Sequence, residues 1–150
     1  MIRKILAVSI VTLTASTSVP AADWLHVAAV ESGTISLDRS SIVETGNFQS
    51  IQVLRDYTRI ITLGSDPDTK EAWYPHRSVQ LSYLADCGTR TVAMEAWKMY
   101  SGNFGNGEIV WADRFTGMPT FAAPGTTEES AALNNACAAN KVVSLLSSAL

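Results

Sequence analysis

Cysteine and histidine are scarce in this chain, with two of each: Cys87, Cys137, His26 and His76. None of the four belongs to a close-spaced pair such as C-x-x-C or H-x-x-x-H, so the sequence carries no zinc signature. A catalytic thiol needs a base within reach and a group to orient that base, and neither histidine lies in a nucleophile motif. Basic residues are few as well, 11 Lys and Arg against 14 Asp and Glu, for a net charge of -3. That balance argues against a nucleic-acid or anionic-membrane partner. No stretch beyond residue 21 is apolar enough to span a membrane, and no internal repeat is visible.

What the chain does have begins at its first residues. Arg3 and Lys4 precede an uncharged apolar stretch from Ile5 to Ala15, followed by small residues and V-P-A, the pattern of a secretory signal peptide over residues 1–21. Cleavage is expected after Ala21, with Ala22 the alternative. It would remove two cations and no acid, leaving about 129 residues with a net charge near -5, one domain over residues 22–150. A lipoprotein would need a cysteine just after the apolar stretch, and both cysteines lie far from it. The expectation is therefore an exported chain, periplasmic or secreted, with neither span nor lipid anchor.

Most of the remaining sequence alternates with period 2, as half-buried strands do. Strands are predicted over Trp24–Val30, over 34–37 leading into turn residues 38–41, and over 48–57. A further strand starts near Ser78, with Val79, Leu81, Tyr83, Ala85 and Cys87 on one face. Gly88 marks a turn, and residues 89–100 form the next strand, with Val92, Met94, Ala96 and Tyr100 alternating against Thr91, Glu95 and Trp97. Residues 108–115 return as its hairpin partner.

Two turn-rich stretches invite ligand readings and resist them. Residues 63–75 hold Asp66 and Asp68 around Pro67, but lack the regular acid spacing and the glycine of a calcium loop, so they read as an exposed connection. Gly102, Gly105 and Gly107 lie before a strand pattern. A phosphate-binding loop opens a helix, so these glycines read as a hairpin turn.

One helix is predicted, at the end of the chain. Thr126 and Glu129 have capping-box spacing, Glu128 and Glu129 suit a positive helix start, and alanine and leucine follow. Leu133, Ala136, Cys137 and Asn140 share a face, and the asparagines weaken the helix so that it would end or bend near 138–141. One thiol thus lies on the apolar face of a strand and the other on the apolar face of a helix. A Cys87–Cys137 disulfide accounts for both positions and for the oxidising compartment, better than a nucleophile or a zinc site does.

The layout resembles the surface-adhesin protein E family of Gram-negative bacteria. The resemblance rests on Trp24, on ISLDRSSIVETGN from Ile35 to Asn47, on IQVLRDY from Ile51 to Tyr57, on Ser78, on Asp86-Cys87 and on Cys137. It implies an α+β fold, an antiparallel sheet of about six strands with a C-terminal helix tethered to one face by the Cys87–Cys137 bridge. It also implies virulence-associated proteins that bind extracellular-matrix and serum proteins and can form homodimers. The family prototype is lipid-anchored, a feature not expected here.

The leading expectation is an exported, non-enzymatic protein-binding module without cofactor or metal. Trp73, Tyr74 and Trp97 are its candidate aromatic anchors. The alternative is a soluble periplasmic binder of a small apolar ligand held between sheet and helix, or an inhibitor of an envelope enzyme. An enzyme would have to draw on Asp86, Glu95, Glu108 or Asp113, carboxylates that solvated strand faces explain more simply.

Overall fold

The structure is a computed structural model that describes residues 22–69 and 71–147. The expected signal peptide, residues 1–21, and the side chain of Asn140 lie outside what is described. In chain order the elements are β1 (Trp24–Val30), β2 (Gly33–Thr45), β3 (Phe48–Ile61), β4 (Gly64–Ser65), β5 (Ala72–Trp73), β6 (His76–Asp86), β7 (Thr91–Tyr100), β8 (Ile109–Arg114) and α1 (Thr127–Ser147). Six of the strands form one antiparallel sheet in the order β1-β2-β3-β6-β7-β8, while β4 and β5 pair as a small hairpin in the connection between β3 and β6.

Alternation along the strands builds the core. Ile35 and Leu37 of β2, Ile51 and Val53 of β3, Tyr83 and Ala85 of β6 and Val92 of β7 pack against Ala132, Leu133, Ala136 and Cys137 of α1. Each fully buried Ile, Leu or Val contributes about 1.5–3 kcal/mol. The capping box forms as spaced: Thr126 Oγ1 accepts from the Glu129 N–H at 3.2 Å, and Glu129 Oε2 accepts from the Thr126 N–H at 3.0 Å. The disulfide joins Cys87 to Cys137 across 5.4 Å between Cα atoms and 50 residues of sequence. Sheet class, terminal helix and bridge all match the sequence reading. Among the described residues, no helix is long and apolar enough to cross a membrane.

The differences are local. β2 does not end at a turn after Leu37; its register with β3 moves from Asp38↔Gln52 to Val43↔Ser50, a large bulge in which residues 39–42 lie opposite Ile51 alone. The turn chemistry is present but serves the bulge. Asp38 Oδ1 accepts from the N–H groups of Ser40 and Asp23, each at 2.9 Å, and Ser41 Oγ accepts from the Gln52 N–H at 2.8 Å. β3 runs four residues past Tyr57. At its far end Gly33 meets β3 so closely that a Cβ would lie 1.8 Å from the Asp56 carbonyl oxygen, so only glycine fits.

In β7 the register passes from Ser82↔Ala96 to Tyr83↔Met94, which leaves Glu95 as an extra residue and reverses the expected alternation. Trp97 therefore pairs with Leu81 and shares its face, rather than lying opposite the apolar side. The left-handed residue of the β6–β7 turn is Arg90, with φ 60°, and not Gly88. The helix continues through 138–141 to Ser147. Two of its asparagines are absorbed: Asn135 donates to the Ala131 carbonyl at 2.9 Å, and Asn134 accepts from Arg90 at 2.6 Å.

Candidate interaction surface

The β7–β8 connection, residues 101–107, is the hairpin turn expected, since β7 and β8 pair antiparallel. It also folds back onto β3 and β6. Asp56, buried in β3, holds it through both carboxylate oxygens: Oδ1 accepts from the Phe104 N–H at 2.6 Å and Oδ2 from the Asn103 amide at 2.9 Å. Ser78, fully buried in β6, donates to the Gly102 carbonyl at 2.7 Å and accepts from the Gly105 N–H at 3.0 Å. The loop turns tightly at Gly107, with φ 84°, where a Cβ would lie 2.5 Å from Ser101 Oγ.

This anchorage displays Phe104, which is 69% exposed with φ 56°. Left-handed backbone costs a bulky side chain about 1–2 kcal/mol. A charge-assisted hydrogen bond of about 1.5–3 kcal/mol offsets it. Tyr74 repeats the arrangement. Its φ is 50°, and its carbonyl accepts from Nδ1 of buried His76 at 2.7 Å, which requires the hydrogen to sit on that nitrogen. The Tyr74 ring lies 4.7 Å from that of Trp111, tilted by 54°.

Other exposed apolar side chains lie in the same segments, among exposed polar ones. Trp73 lies over Gly64 in the β4–β5 hairpin and is 48% exposed, and Ile60, Leu63 and Ile109 are each more than half exposed. All lie where β3 leaves the sheet, β6 and β8 enter it, and the β7–β8 loop crosses. Asp66 shapes the adjoining hairpin by accepting from the N–H groups of Thr69 and Asp68, bonds that hold its carboxyl below the usual range. The carboxylate considered for calcium is thus engaged in a turn. Such a concentration of exposed apolar surface is unusual for a face with no partner.

The other candidate residues are dispersed. Cys87 and Cys137 are bonded to each other and offer no thiolate to a zinc ion or a substrate. His26 lies on β1 and His76 at the start of β6. Asp86 caps the β6–β7 turn: its Oδ1 accepts from Thr89 and Gly88, and the Thr89 bond does most to hold its carboxyl low. Glu95 lies 3.6 Å from Arg114, Asp113 accepts from its neighbour's N–H, and Glu108 follows the β7–β8 loop. Trp73 and Tyr74 are exposed as anchors require, but the Trp97 indole N–H is buried without a hydrogen-bond acceptor, so that ring packs inward. Phe104 and Trp111 escaped the sequence reading. The polar Asp56 and Ser78 within apolar strands were the available sign of a loop docked above them.

Two further features flank this face. Arg55 of β3 pairs with buried Glu128 of α1 at 2.8 Å and lies over Tyr57. On the far side, between the start of α1, β7 and residues 115–122, lies a groove of about 540 Å³.

Comparison with known proteins gives consistent results. Residues 24–138 match the family model described as surface-adhesin protein E. A crystal structure of protein E from non-typeable Haemophilus influenzae is 16% identical, with 81% of this chain and 80% of that one covered and a TM-score of 0.48. Crystal form II of Haemophilus influenzae protein E is 17% identical, with 86% and 97% covered and a TM-score of 0.51, a likeness of fold. No curated protein matches significantly.

Proposed function

The chain belongs to the surface-adhesin protein E family, and from that premise we propose that it is an exported, non-enzymatic module that binds a host extracellular-matrix or serum protein. Residues 1–21 act as its signal peptide and residues 22–150 form the single mature domain, in the periplasm or outside the cell, where it forms homodimers. The observation that carries this reading is the aromatic end of the sheet, where Phe104 and Tyr74 are held outward in left-handed backbone by Asp56 and His76. Rigid, exposed aromatics of this kind supply most of the energy in protein interfaces. The adhesin family favours binding over catalysis, and of the carboxylates weighed for an enzyme Asp86, Glu95 and Asp113 have structural partners.

The test is surface plasmon resonance of the mature chain over immobilised matrix and serum proteins, beside a Phe104→Ala/Trp111→Ala variant. Binding by the native chain, weakened at least about tenfold in the variant, is expected. Binding that the double substitution leaves unchanged would place the contact elsewhere.

A second reading has its own observation. The groove beside α1 is large enough for a small ligand and is lined mainly by apolar side chains, which favours a binder of a small apolar molecule. Native mass spectrometry of protein purified from the periplasm tests it: a retained small molecule is expected, and protein of bare mass counts against it.

A further inference from the structure

The β7 bulge adds two side chains to the lining of the groove beside α1. In a regular strand Met94 and Glu95 would point to opposite faces. The extra residue in the register lets both line the same space, with Leu84 and Val92 beside them and Glu129 of α1 across from them. Residues 115–122 arch over the opening. One foot of the arch is pinned by the Phe115 N–H donating to the Glu95 carbonyl at 2.9 Å. The other is pinned by the paired bonds between Ala122 and Val92, at 2.9 and 3.0 Å. Between the feet, Gly117 takes φ 110° and Met118 is 95% exposed, an apolar side chain held in water above an apolar slot.

Charge in this slot is unbalanced. Two carboxylates, Glu95 and Glu129, line it, while Arg114, the cation paired with Glu95 at 3.6 Å, has a side chain 73% exposed. A pair so open to water is held weakly and yields readily to a better-placed cation. Glu129 commits Oε2 to the helix cap, with the Gly125 N–H at 2.7 Å, which fixes the carboxylate in place. The combination is an apolar wall ending in fixed negative charge.

We propose that this groove binds a small cationic amphiphile, an alkylammonium whose tail lies on Val92 and Met94 and whose head sits beside Glu95. The proposal rests on the second reading above, that the groove is a ligand site, and specifies the ligand's chemistry. Met118 folds down over the tail on binding, since it lies between the two hydrogen-bonded feet of the arch and three residues before Phe121, whose ring stacks on Phe48 at 4.7 Å.

The experiment titrates the mature chain with octyltrimethylammonium, octanol and octyl sulfate, all below their aggregation limits, and follows the methyl signals of Met94 and Met118 by NMR. The ammonium probe is expected to bind about fivefold tighter than octanol, with the sulfate weakest. Glu95→Gln, which keeps the side chain's shape, should bring the ammonium probe to the octanol level. Equal affinity for all three probes would overturn the cationic assignment and leave the apolar site standing. Methionine signals unmoved by any probe would overturn both. A preference for the ammonium probe that survives in both Glu95→Gln and a groove-filling Met94→Trp would place its site elsewhere and defeat the proposal.

Discussion

At the end of the sheet where β6 turns into β7, Cys87 is bonded to Cys137 and the turn is capped by Asp86. At the opposite end no covalent link joins the described elements. There the β7–β8 loop is held by Asp56 and Ser78, and the segment before β6 by His76. The first end uses a covalent bond and apolar packing to hold a helix down. The second places polar groups inside so that apolar ones stay outside. Burying a carboxylate, a hydroxyl and an imidazole is costly unless each is hydrogen-bonded, and here each is. The difference teaches two ways of holding a sheet end: apolar burial and a covalent bond at the scaffold end, and buried polar groups that fix exposed aromatics at the end proposed above to bind.

The comparison can be broken at the scaffold end first. Replacing both Cys87 and Cys137 by serine should cost about 4 kcal/mol, the chain-entropy value for a loop of this length. Urea unfolding of native and variant protein measures it, and the aromatic end should still bind under native conditions. Next in size is Arg55→Ala, which leaves Glu128, 5% exposed, without its counterion. A loss of about 2–3 kcal/mol is expected, since the guanidinium is one-third exposed and partly screened. Adding Glu128→Gln to that variant should recover part of the loss.

At the working end, Asp56→Ala removes two hydrogen bonds to the loop and should cost about 1–3 kcal/mol. Amide exchange at Phe104 should then rise more than at Cys137. If the whole sheet loosens equally, the loop is not a separately held unit.

The smallest effect at neutral pH concerns Tyr83. Burial first, and Glu129 and Glu128 second, push its phenol well above the ordinary value, and Tyr57 and Tyr100 shift the same way. The neutral phenol is thus favoured in the folded state. Its contribution is complete below the unfolded value of about 10 and is lost as pH rises from there toward the folded value. Tyr83→Phe should leave stability at pH 7 nearly unchanged and reduce the slope of melting temperature against pH above about 10.

Much of the scaffold was legible because it rests on period. Leu81, Tyr83, Ala85 and Cys87 alternate in the sequence and line one core in space, and Thr126 with Glu129 announces the helix start. What escaped depends on register between strands, which no single strand encodes. Glu95 looks like any outward residue of an alternating run until its pairing with β6 shows it to be an extra one, and that slip moves Trp97 to the other face. Asp38 and Ser41 read as a turn because the same side-chain bonds to the backbone stabilise a turn and a bulge. The aromatic end was half visible. Trp73 and Tyr74 stood out in a loop, but Trp111 joins Tyr74 only because β8 lies at the sheet edge beyond β7, and Phe104 stands out only because Asp56 lies 48 residues away.

The division between the two ends is tested most directly by amide hydrogen exchange of the mature chain with and without a bound matrix or serum protein. Slower exchange across residues 60–76 and 101–111, with no change at 87–90 or along residues 128–137 of α1, is the predicted result. Protection concentrated at the disulfide-linked turn and helix, with the aromatic end exchanging as in the free chain, would contradict it.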